Sequence, residues 1–165
     1  MSLSKIVLCG FMGTGKTTVG KLVADQLGWD FVDTDALIVE RAGITIPDIF
    51  KRYGEAMFRS YERQIAQEAA LWQRIVLSTG GGMPVNPENL KDLQRNGLVI
   101  CLNASPEAIE ERLGTGEGRP LANDWRKLLE ARRDAYARIP HHIDTTGRTA
   151  EDIAQEVIAL WQKSS

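Results

Sequence analysis

The chain has 165 residues, of which 43% are hydrophobic and 25% are charged, and its formal net charge is −2. These values are typical of one globular domain with one buried core, so we predict a single domain over residues 1–165. We expect neither a nucleic-acid nor a membrane partner, because basic residues are not in excess and no apolar run approaches the ~20 residues that span a bilayer.

The first predicted strand, Ile6–Cys9, runs directly into the segment Gly10–Thr17, which reads G-x-x-x-x-G-K-T. This is the phosphate-binding P-loop, and a helical pattern follows it. Its glycines let backbone N–H groups turn toward phosphates, and the following helix adds its positive N-terminal end. In such loops the lysine, here Lys16, reaches the β- and γ-phosphates, and the hydroxyl of Thr17 binds Mg²⁺. The segment therefore predicts binding of a nucleoside triphosphate with Mg²⁺.

The second predicted strand, Asp30–Asp33, ends in two carboxylates at alternate positions, Asp33 and Asp35. Ligands of open α/β sheets bind at the carboxyl ends of the strands, so we expect both acids near the P-loop. One of them can hold Mg²⁺ while the other accepts a proton from a substrate hydroxyl. The alternative is that one of the two only caps the next helix.

Two further patterns lie in the middle of the chain. Arg59 and Glu62 are one helical turn apart, a spacing that by itself indicates only a solvated ion pair. The strand-like run Ile75–Ser78 precedes the triple-glycine turn Gly80–Gly82, where a ligand can approach the backbone and accept hydrogen bonds from its amides. Because this strand ends in Ser78 rather than in an aspartate, we predict Asp33 as the metal-binding acid.

The remaining patterns complete an α/β alternation. Strands are predicted at Leu98–Leu102 and, more weakly, at His142–Asp144; helices are predicted to begin after Asn86, Ser105 and Thr149 and to stop at Gly43 and Gly97. The alternation predicts a three-layer α/β/α fold with a central parallel five-stranded sheet. Glycines at alternate positions before Arg119 predict a mobile lid at about residues 113–124.

Cysteine content and the N-terminal segment predict a cytoplasmic protein. The two cysteines, Cys9 and Cys101, fall inside predicted strands, so buried free thiols are favoured over a disulfide. The first apolar run is followed by the P-loop rather than by a cleavage site, so we predict no secretory leader.

Six blocks along the chain together resemble the shikimate kinase family. In chain order they are Gly10–Thr17, Asp33–Asp35, Phe58–Glu62, Gly80–Gly82, Arg119–Leu121 and Arg132–Tyr136. The P-loop alone is weakly specific, whereas D-x-D, F-R-x-x-E and G-G-G in combination are highly specific. The resemblance implies a P-loop kinase, similar in fold to nucleoside monophosphate kinases. It further implies that ATP donates its γ-phosphoryl group to the 3-hydroxyl of shikimate, a step of aromatic amino acid biosynthesis.

The resemblance also implies site residues. Shikimate would lie against helices at about residues 34–62 and would contact Asp35, Arg59, Gly80, Gly81, Gly82 and Arg132. ATP would be bound by Gly13, Thr14, Gly15, Lys16, Thr17, Thr18, Arg112, Arg119 and Arg148. Mg²⁺ would be held by Thr17 and Asp33, and catalysis would use Lys16, Asp35 and Arg119.

Within that set, the two guanidinium groups of Arg59 and Arg132 would hold the substrate carboxylate, a geometry that suits a paired fork. Asp35 would bind ring hydroxyls as the candidate base. Arg119 would move in with the lid and stabilise charge on the transferring phosphoryl group. Arg112 would pack against adenine.

The late block departs from the family pattern, because Asp134 stands where the family usually has proline. Two adjacent arginines also make the carboxylate ligand ambiguous. Counting back from Tyr136 favours Arg132, with Arg133 as the alternative. The family resemblance further predicts a monomer.

Two other functions compete with this hypothesis. A gluconate or nucleoside monophosphate kinase would share the P-loop and the lid, but we would not expect F-R-x-x-E followed by G-G-G. A catalytically silent nucleotide-binding module would be favoured by loss of Lys16, Asp35 or Arg119, and all three are present.

Overall fold

A five-stranded parallel sheet forms the centre of the molecule. The structure is a computed structural model and describes residues 3–113 and 125–165. The strands are β1 (Lys5–Gly10), β2 (Asp30–Asp33), β3 (Ile75–Ser78), β4 (Gly97–Asn103) and β5 (His141–Asp144). Their order in the sheet is β2-β3-β1-β4-β5, with β1 between β3 and β4. The predicted parallel five-stranded sheet is confirmed, including the weakly signalled fifth strand.

Helices connect the strands. They are α1 (Lys16–Leu27), α2 (Thr34–Ala42), α3 (Ile46–Tyr53), α4 (Glu55–Ala69), α5 (Pro87–Gln94), α6 (Pro106–Leu113), α7 (Trp125–Ala137) and α8 (Ala150–Ser164), and a short 3₁₀ turn covers Met83–Val85. The predicted caps are confirmed: Asn86 accepts the backbone N–H of Glu88, and Thr149 accepts that of Asp152.

Alternation along the strands sends side chains to the two faces of the sheet. On one face Val7 and Cys9 of β1 join a cluster with residues of α4 to α7. On the other face Ile6 and Leu8 join a cluster with α1 and α8. Because helices cover both faces of the sheet, the three-layer α/β/α prediction is confirmed. A third apolar cluster, which includes Ile38, Ile49 and Phe58, holds α2, α3 and α4 together beside the sheet.

Two smaller predictions have different outcomes. Cys9 and Cys101 are register partners in neighbouring strands, and both are buried free thiols, as predicted. Gly97 does not stop a helix. The preceding helix ends at Gln94, Asn96 takes the left-handed conformation with φ 52°, and Gly97 opens β4.

Gly10 ends β1 at the point where the chain enters the P-loop. Its φ is 133°, and a methyl group there would collide with the backbone carbonyl of Leu102 in β4. We expect Gly10→Ala to lower the free energy of unfolding by roughly 2–4 kcal/mol, because it combines backbone strain with overpacking against a rigid strand. Urea unfolding measures the effect.

Gly28→Ala is the matched control for this substitution. Gly28 has φ 68°, but no atom lies within 4 Å of the added methyl group. Only the cost of the left-handed conformation remains, about 1 kcal/mol. Equal losses in the two variants would show that the contact with β4 is unimportant.

Candidate active site

The P-loop joins the carboxyl end of β1 to α1. Gly13 and Gly15 have φ of 79° and 85°, which glycine adopts without strain, and α1 begins at Lys16. The start of α1 has no acidic residue in its first turn, and no side chain among the described residues caps it. Its N–H groups and positive end are therefore available to an anion.

Lys16 lies over this loop. Its Nζ donates hydrogen bonds to the carbonyl oxygens of Gly10, at 2.7 Å, and Phe11, at 2.9 Å. Burial lowers the pKa of Lys16 to about 8. The lysine is thus held at the mouth of the loop by weak backbone acceptors that a phosphate can replace.

Other predicted nucleotide ligands occupy different positions around the loop. The hydroxyl of Thr14 is buried and donates to the carbonyl of Phe11 at 2.7 Å, so this residue presents only its backbone. Thr18 is exposed on α1. Arg112 donates to the carbonyl oxygens of Gly13, at 2.9 Å, and Thr145, at 3.0 Å.

Arg148 lies in the loop that follows β5. It donates to the carbonyl of Asp144 at 3.0 Å and pairs with Glu156 at 3.4 Å. Arg119 and residues 114–124 of the predicted lid lie outside the described residues.

Asp33 serves two purposes at once. Its Oδ1 accepts the backbone N–H groups of Asp35 and Ala36, at 2.9 and 3.2 Å, and so caps α2. Its Oδ2 accepts the hydroxyl of Thr17 at 3.2 Å. The sequence left open whether an aspartate caps the helix or faces the P-loop, and Asp33 does both.

Asp35 lies in the first turn of α2 and does not cap it. Its Oδ1 is buried and has no hydrogen-bond partner among the described residues. Burial, and then the charge of Asp33, raise its pKa, while Lys16, Arg59 and Arg132 oppose that rise. An acceptor oxygen without a partner, surrounded by three cations, suits a ligand hydroxyl.

Arg59 lies on α4 and is tied to a buried carboxylate. Its Nη1 donates to Oε1 of Glu62 at 2.7 Å; the Arg59 side chain is 37% exposed and that of Glu62 only 1%. Oε2 of Glu62 has no partner among the described residues. The interpretation as an ordinary solvated ion pair is therefore wrong, because the acid is buried and orients the guanidinium. The three-residue spacing was the only signal in the sequence.

The structure distinguishes the two adjacent arginines of α7. Arg132 is half-buried, and its guanidinium carbon lies 5.8 Å from the centroid of the Phe11 ring at the start of the P-loop. Arg133 points to the surface, where its side chain is 75% exposed and pairs with Glu130 at 3.4 Å. Arg132 is the arginine that the fold brings to the site.

The triple-glycine turn follows β3 and lies beside Asp35, Arg59 and Arg132. The N–H of Gly80 donates to the hydroxyl of Thr34 at 3.2 Å, and the hydroxyl of Tyr136 donates to the carbonyl of Gly81 at 2.7 Å. Sequence reasoning used Tyr136 only to count back to the arginine and missed this hydrogen bond. The four-residue spacing from Arg132 was the available signal.

The described ranges contain neither a membrane-spanning helix nor a cluster of metal-binding side chains. No helix there is both long and apolar enough to cross a bilayer. No group of three or more His, Cys, Asp or Glu side chains in those ranges is arranged to hold a metal. A site built from Thr17 and Asp33 would therefore need oxygen ligands from phosphate and water, as Mg²⁺ sites commonly do.

Known proteins resemble this chain over nearly its full length. The family model described as shikimate kinase matches residues 12–162. The shikimate kinase of Thermoanaerobacter pseudethanolicus is 42% identical, over 96% of each chain. The solved shikimate kinase from Acinetobacter baumannii in complex with shikimate superimposes with a TM-score of 0.90, at 35% identity, over 99% of this chain and 95% of that one.

A gluconokinase from Sinorhizobium meliloti 1021 superimposes with a TM-score of 0.61 at 18% identity, over 98% of this chain and 93% of that one. That similarity is one of fold alone. The family match and the sequence identity both favour the first hypothesis over a gluconate kinase. The chain belongs to the shikimate kinase family.

Proposed function

We propose that the chain transfers the γ-phosphoryl group of ATP to the 3-hydroxyl of shikimate, giving shikimate 3-phosphate and ADP. Family membership supports the reaction, and one observation supports the acceptor site. The buried Oδ1 of Asp35 has no hydrogen-bond partner among the described residues, and the charges of Lys16, Arg59 and Arg132 act on its carboxylate. This combination suits a hydroxylated carboxylic acid, since it offers an acceptor for hydroxyl protons and cations for a carboxylate.

Each side chain has a proposed task. Arg59 and Arg132 bind the carboxylate, and Asp35 accepts the proton of the attacking hydroxyl or orients that hydroxyl. Gly13, Thr14 and Gly15 of the loop and Lys16 and Thr18 of the first turn of α1 bind the phosphates, mostly through backbone N–H groups. Arg112 and Arg148 flank the nucleotide side, and Arg119 is proposed to stabilise charge on the transferring phosphoryl group.

We propose Thr17 and Asp33 as the magnesium ligands. This proposal is supported by their chemistry, since a hydroxyl and a carboxylate are hard oxygen donors, and by the 3.2 Å distance between the Thr17 hydroxyl and Oδ2 of Asp33. Bound there, Mg²⁺ would neutralise charge on the β- and γ-phosphates.

We further propose a monomer that works in the cytoplasm. The free buried thiols of Cys9 and Cys101 fit a reducing compartment. Light scattering coupled to gel filtration tests the oligomeric state, and a mass of two or more chains would contradict it.

A coupled ADP-release assay with ATP and Mg²⁺ tests the function, with shikimate, gluconate and AMP compared as acceptors. We expect turnover with shikimate only. Absence of turnover with shikimate would refute the proposal. Turnover with gluconate or AMP alone would favour a related kinase, and nucleotide binding without any turnover would favour a silent module.

The low pKa of Lys16 predicts how ATP affinity depends on pH. Burial gives the ATP-free lysine a pKa of about 8, and bound phosphate favours the charged form. ATP affinity should therefore be constant below pH 8. Above it, the Kd should rise by up to about tenfold per pH unit, because protonation must accompany binding. Calorimetric titration between pH 7 and 9.5 measures this dependence.

Lys16→Arg provides the comparison for that titration, because arginine stays protonated throughout the range. Its ATP affinity is expected to be weaker but flat with pH. A wild-type Kd that is equally flat above pH 8 would contradict the assignment.

A further inference from the structure

The triple-glycine turn does not need glycine for its backbone conformation. Seven glycines among the described residues have positive φ, including Gly10, Gly13 and Gly15, but none of Gly80, Gly81 and Gly82 is among them. Gly82, for example, has φ −90° and ψ −12°, which any residue can adopt. The reason for three consecutive glycines must therefore lie in the space around them.

Each glycine of the turn faces a different charged side chain. A methyl group on Gly80 would lie 2.5 Å from Oδ1 of Asp35. One on Gly81 would lie 2.5 Å from Nη1 of Arg132, and one on Gly82 would lie 2.5 Å from Nη1 of Arg59. Since non-bonded heavy atoms settle at about 3.5 Å, each methyl group would displace one charged group by roughly 1 Å.

The turn is tied to the helices that carry two of those groups. Thr34, which accepts the N–H of Gly80, precedes Asp35 on α2. Tyr136, which donates to the carbonyl of Gly81, lies one turn after Arg132 on α7. Each hydrogen bond therefore fixes the position of the turn relative to the helix that carries the neighbouring charged residue.

We propose that the turn Gly80–Gly82 is a positioning element in which each glycine sets the location of one charged group, with Tyr136 holding the turn in place. The inference rests on the proposed function, because these three groups are the proposed shikimate ligands. The atoms that meet the turn are the ends of side chains rather than backbone, so an added methyl group moves a charge without breaking the fold. Misplacement by 1 Å commonly costs up to about a hundredfold in activity.

A different explanation is that the turn only presents amides to the substrate. Alanine keeps the amide, so its methyl group could then act only by obstructing the substrate directly. That effect would be independent of the arginine or aspartate beside it. The two explanations therefore differ in whether the effect of an alanine disappears when its charged partner is removed.

A double-mutant cycle on Gly82 and Arg59, read as the Kd for shikimate by calorimetry, tests this difference. In the otherwise wild-type chain, Gly82→Ala is expected to weaken shikimate binding by roughly tenfold while ATP affinity stays within about twofold. In the Arg59→Ala background it is expected to have less than about a twofold effect. Equal effects in the two backgrounds would overturn the inference.

Gly80→Ala in the Arg59→Ala background is the specificity control. Because Gly80 faces Asp35, its effect on shikimate binding should survive removal of Arg59. It should instead disappear in the Asp35→Ala background, which removes the carboxylate atoms that the methyl group would meet. If the effect of Gly80→Ala on shikimate binding disappeared in the Arg59→Ala background, the proposed pairing of glycines with charged groups would be wrong.

Gly97→Ala is the matched structural control. Its methyl group would also be too close to its neighbours, at 2.7 Å from the carbonyl oxygen of Leu93 and from Cε of Lys5, but at the opposite end of the sheet. We expect this variant to lose thermal stability while its shikimate Kd is unchanged. An equal shikimate defect in Gly97→Ala would mean that destabilisation, not positioning, explains the turn variants, and would overturn the inference.

If the alanine variants do not fold, Tyr136→Phe provides a second test of the inference, because this substitution removes only a hydroxyl group. We expect shikimate binding to weaken by about threefold to tenfold in the wild-type background and to change little in Arg132→Ala. Trp161→Phe is the control, since Trp161 also donates a 2.7 Å hydrogen bond to a backbone carbonyl, that of Leu3, at a different place. An unchanged shikimate Kd in Tyr136→Phe would overturn the role of Tyr136.

The wild-type titration separates the two proposals. A wild-type chain that does not bind shikimate refutes the proposed function and this inference with it. A wild-type chain that binds shikimate, but whose cycles show no coupling, refutes the positioning role alone.

Discussion

Asp35→Asn is expected to lower kcat by roughly 10²- to 10⁴-fold, the contribution typical of a positioned acid or base. The asparagine has nearly the same shape and can still contact a hydroxyl, but it cannot accept its proton. It also removes the negative charge that faces Lys16, Arg59 and Arg132. The KM for shikimate is expected to change much less than kcat. Steady-state kinetics with saturating ATP and Mg²⁺ measure both values.

The pH dependence of kcat in the wild-type chain tests the role of Asp35 independently of any substitution. Burial and the neighbouring charge of Asp33 raise its pKa, so Asp35 takes up a proton at a higher pH than an ordinary aspartate. Because the ionised form is the active one, kcat should fall as the pH drops through that raised pKa. This fall in kcat at low pH should be absent from the residual activity of Asp35→Asn.

Asp134→Asn, on the exposed face of α7, is the control for this substitution. It makes the same chemical change away from the partnerless oxygen and should leave kcat within about twofold, as surface substitutions generally do. If Asp35→Asn kept a wild-type kcat, Asp35 would not be the base that accepts the hydroxyl proton.

Arg59→Ala is expected to raise the KM for shikimate by roughly 30- to 1,000-fold, which corresponds to the 2–4 kcal/mol of a desolvated charge pair. The KM for ATP should stay near the wild-type value, because Arg59 lies on α4, away from the P-loop contacts. Stability should also fall, since the buried carboxylate of Glu62 loses its 2.7 Å partner. Parallel kinetics with each substrate varied in turn, together with urea unfolding, measure these effects.

Arg63→Ala separates the loss of stability from the loss of binding. Arg63 lies on the same helix and makes an ion pair of the same length, 2.7 Å, with Asp92. That pair links α4 to α5 rather than facing the site. We expect lower stability with an unchanged KM for shikimate. A wild-type KM in Arg59→Ala would show that the carboxylate is bound elsewhere.

Most of the features that could be predicted without the structure are formed by residues that lie close together in the sequence. The P-loop is one continuous segment, so its glycines, Lys16 and Thr17 could be identified together. Apolar runs located the strands because buried parallel strands are apolar along their whole length. Helix starts at Asn86 and Thr149 were predictable because a cap is a contact between residues only two or three positions apart.

Features that join distant segments of the chain could be identified only once the packing of the helices was known. In the sequence only the spacing from Tyr136 favours Arg132 over Arg133, whereas the orientation of α7 places Arg132 at the P-loop and Arg133 on the surface. The burial of Glu62 likewise depends on helices packed around α4. The triple-glycine turn is the clearest case. The glycine pattern predicted a ligand site after β3, but the contacts that require three glycines come from side chains on α2, α4 and α7. Local patterns show which residue types are present, whereas the direction of a side chain depends on the packing of the whole domain.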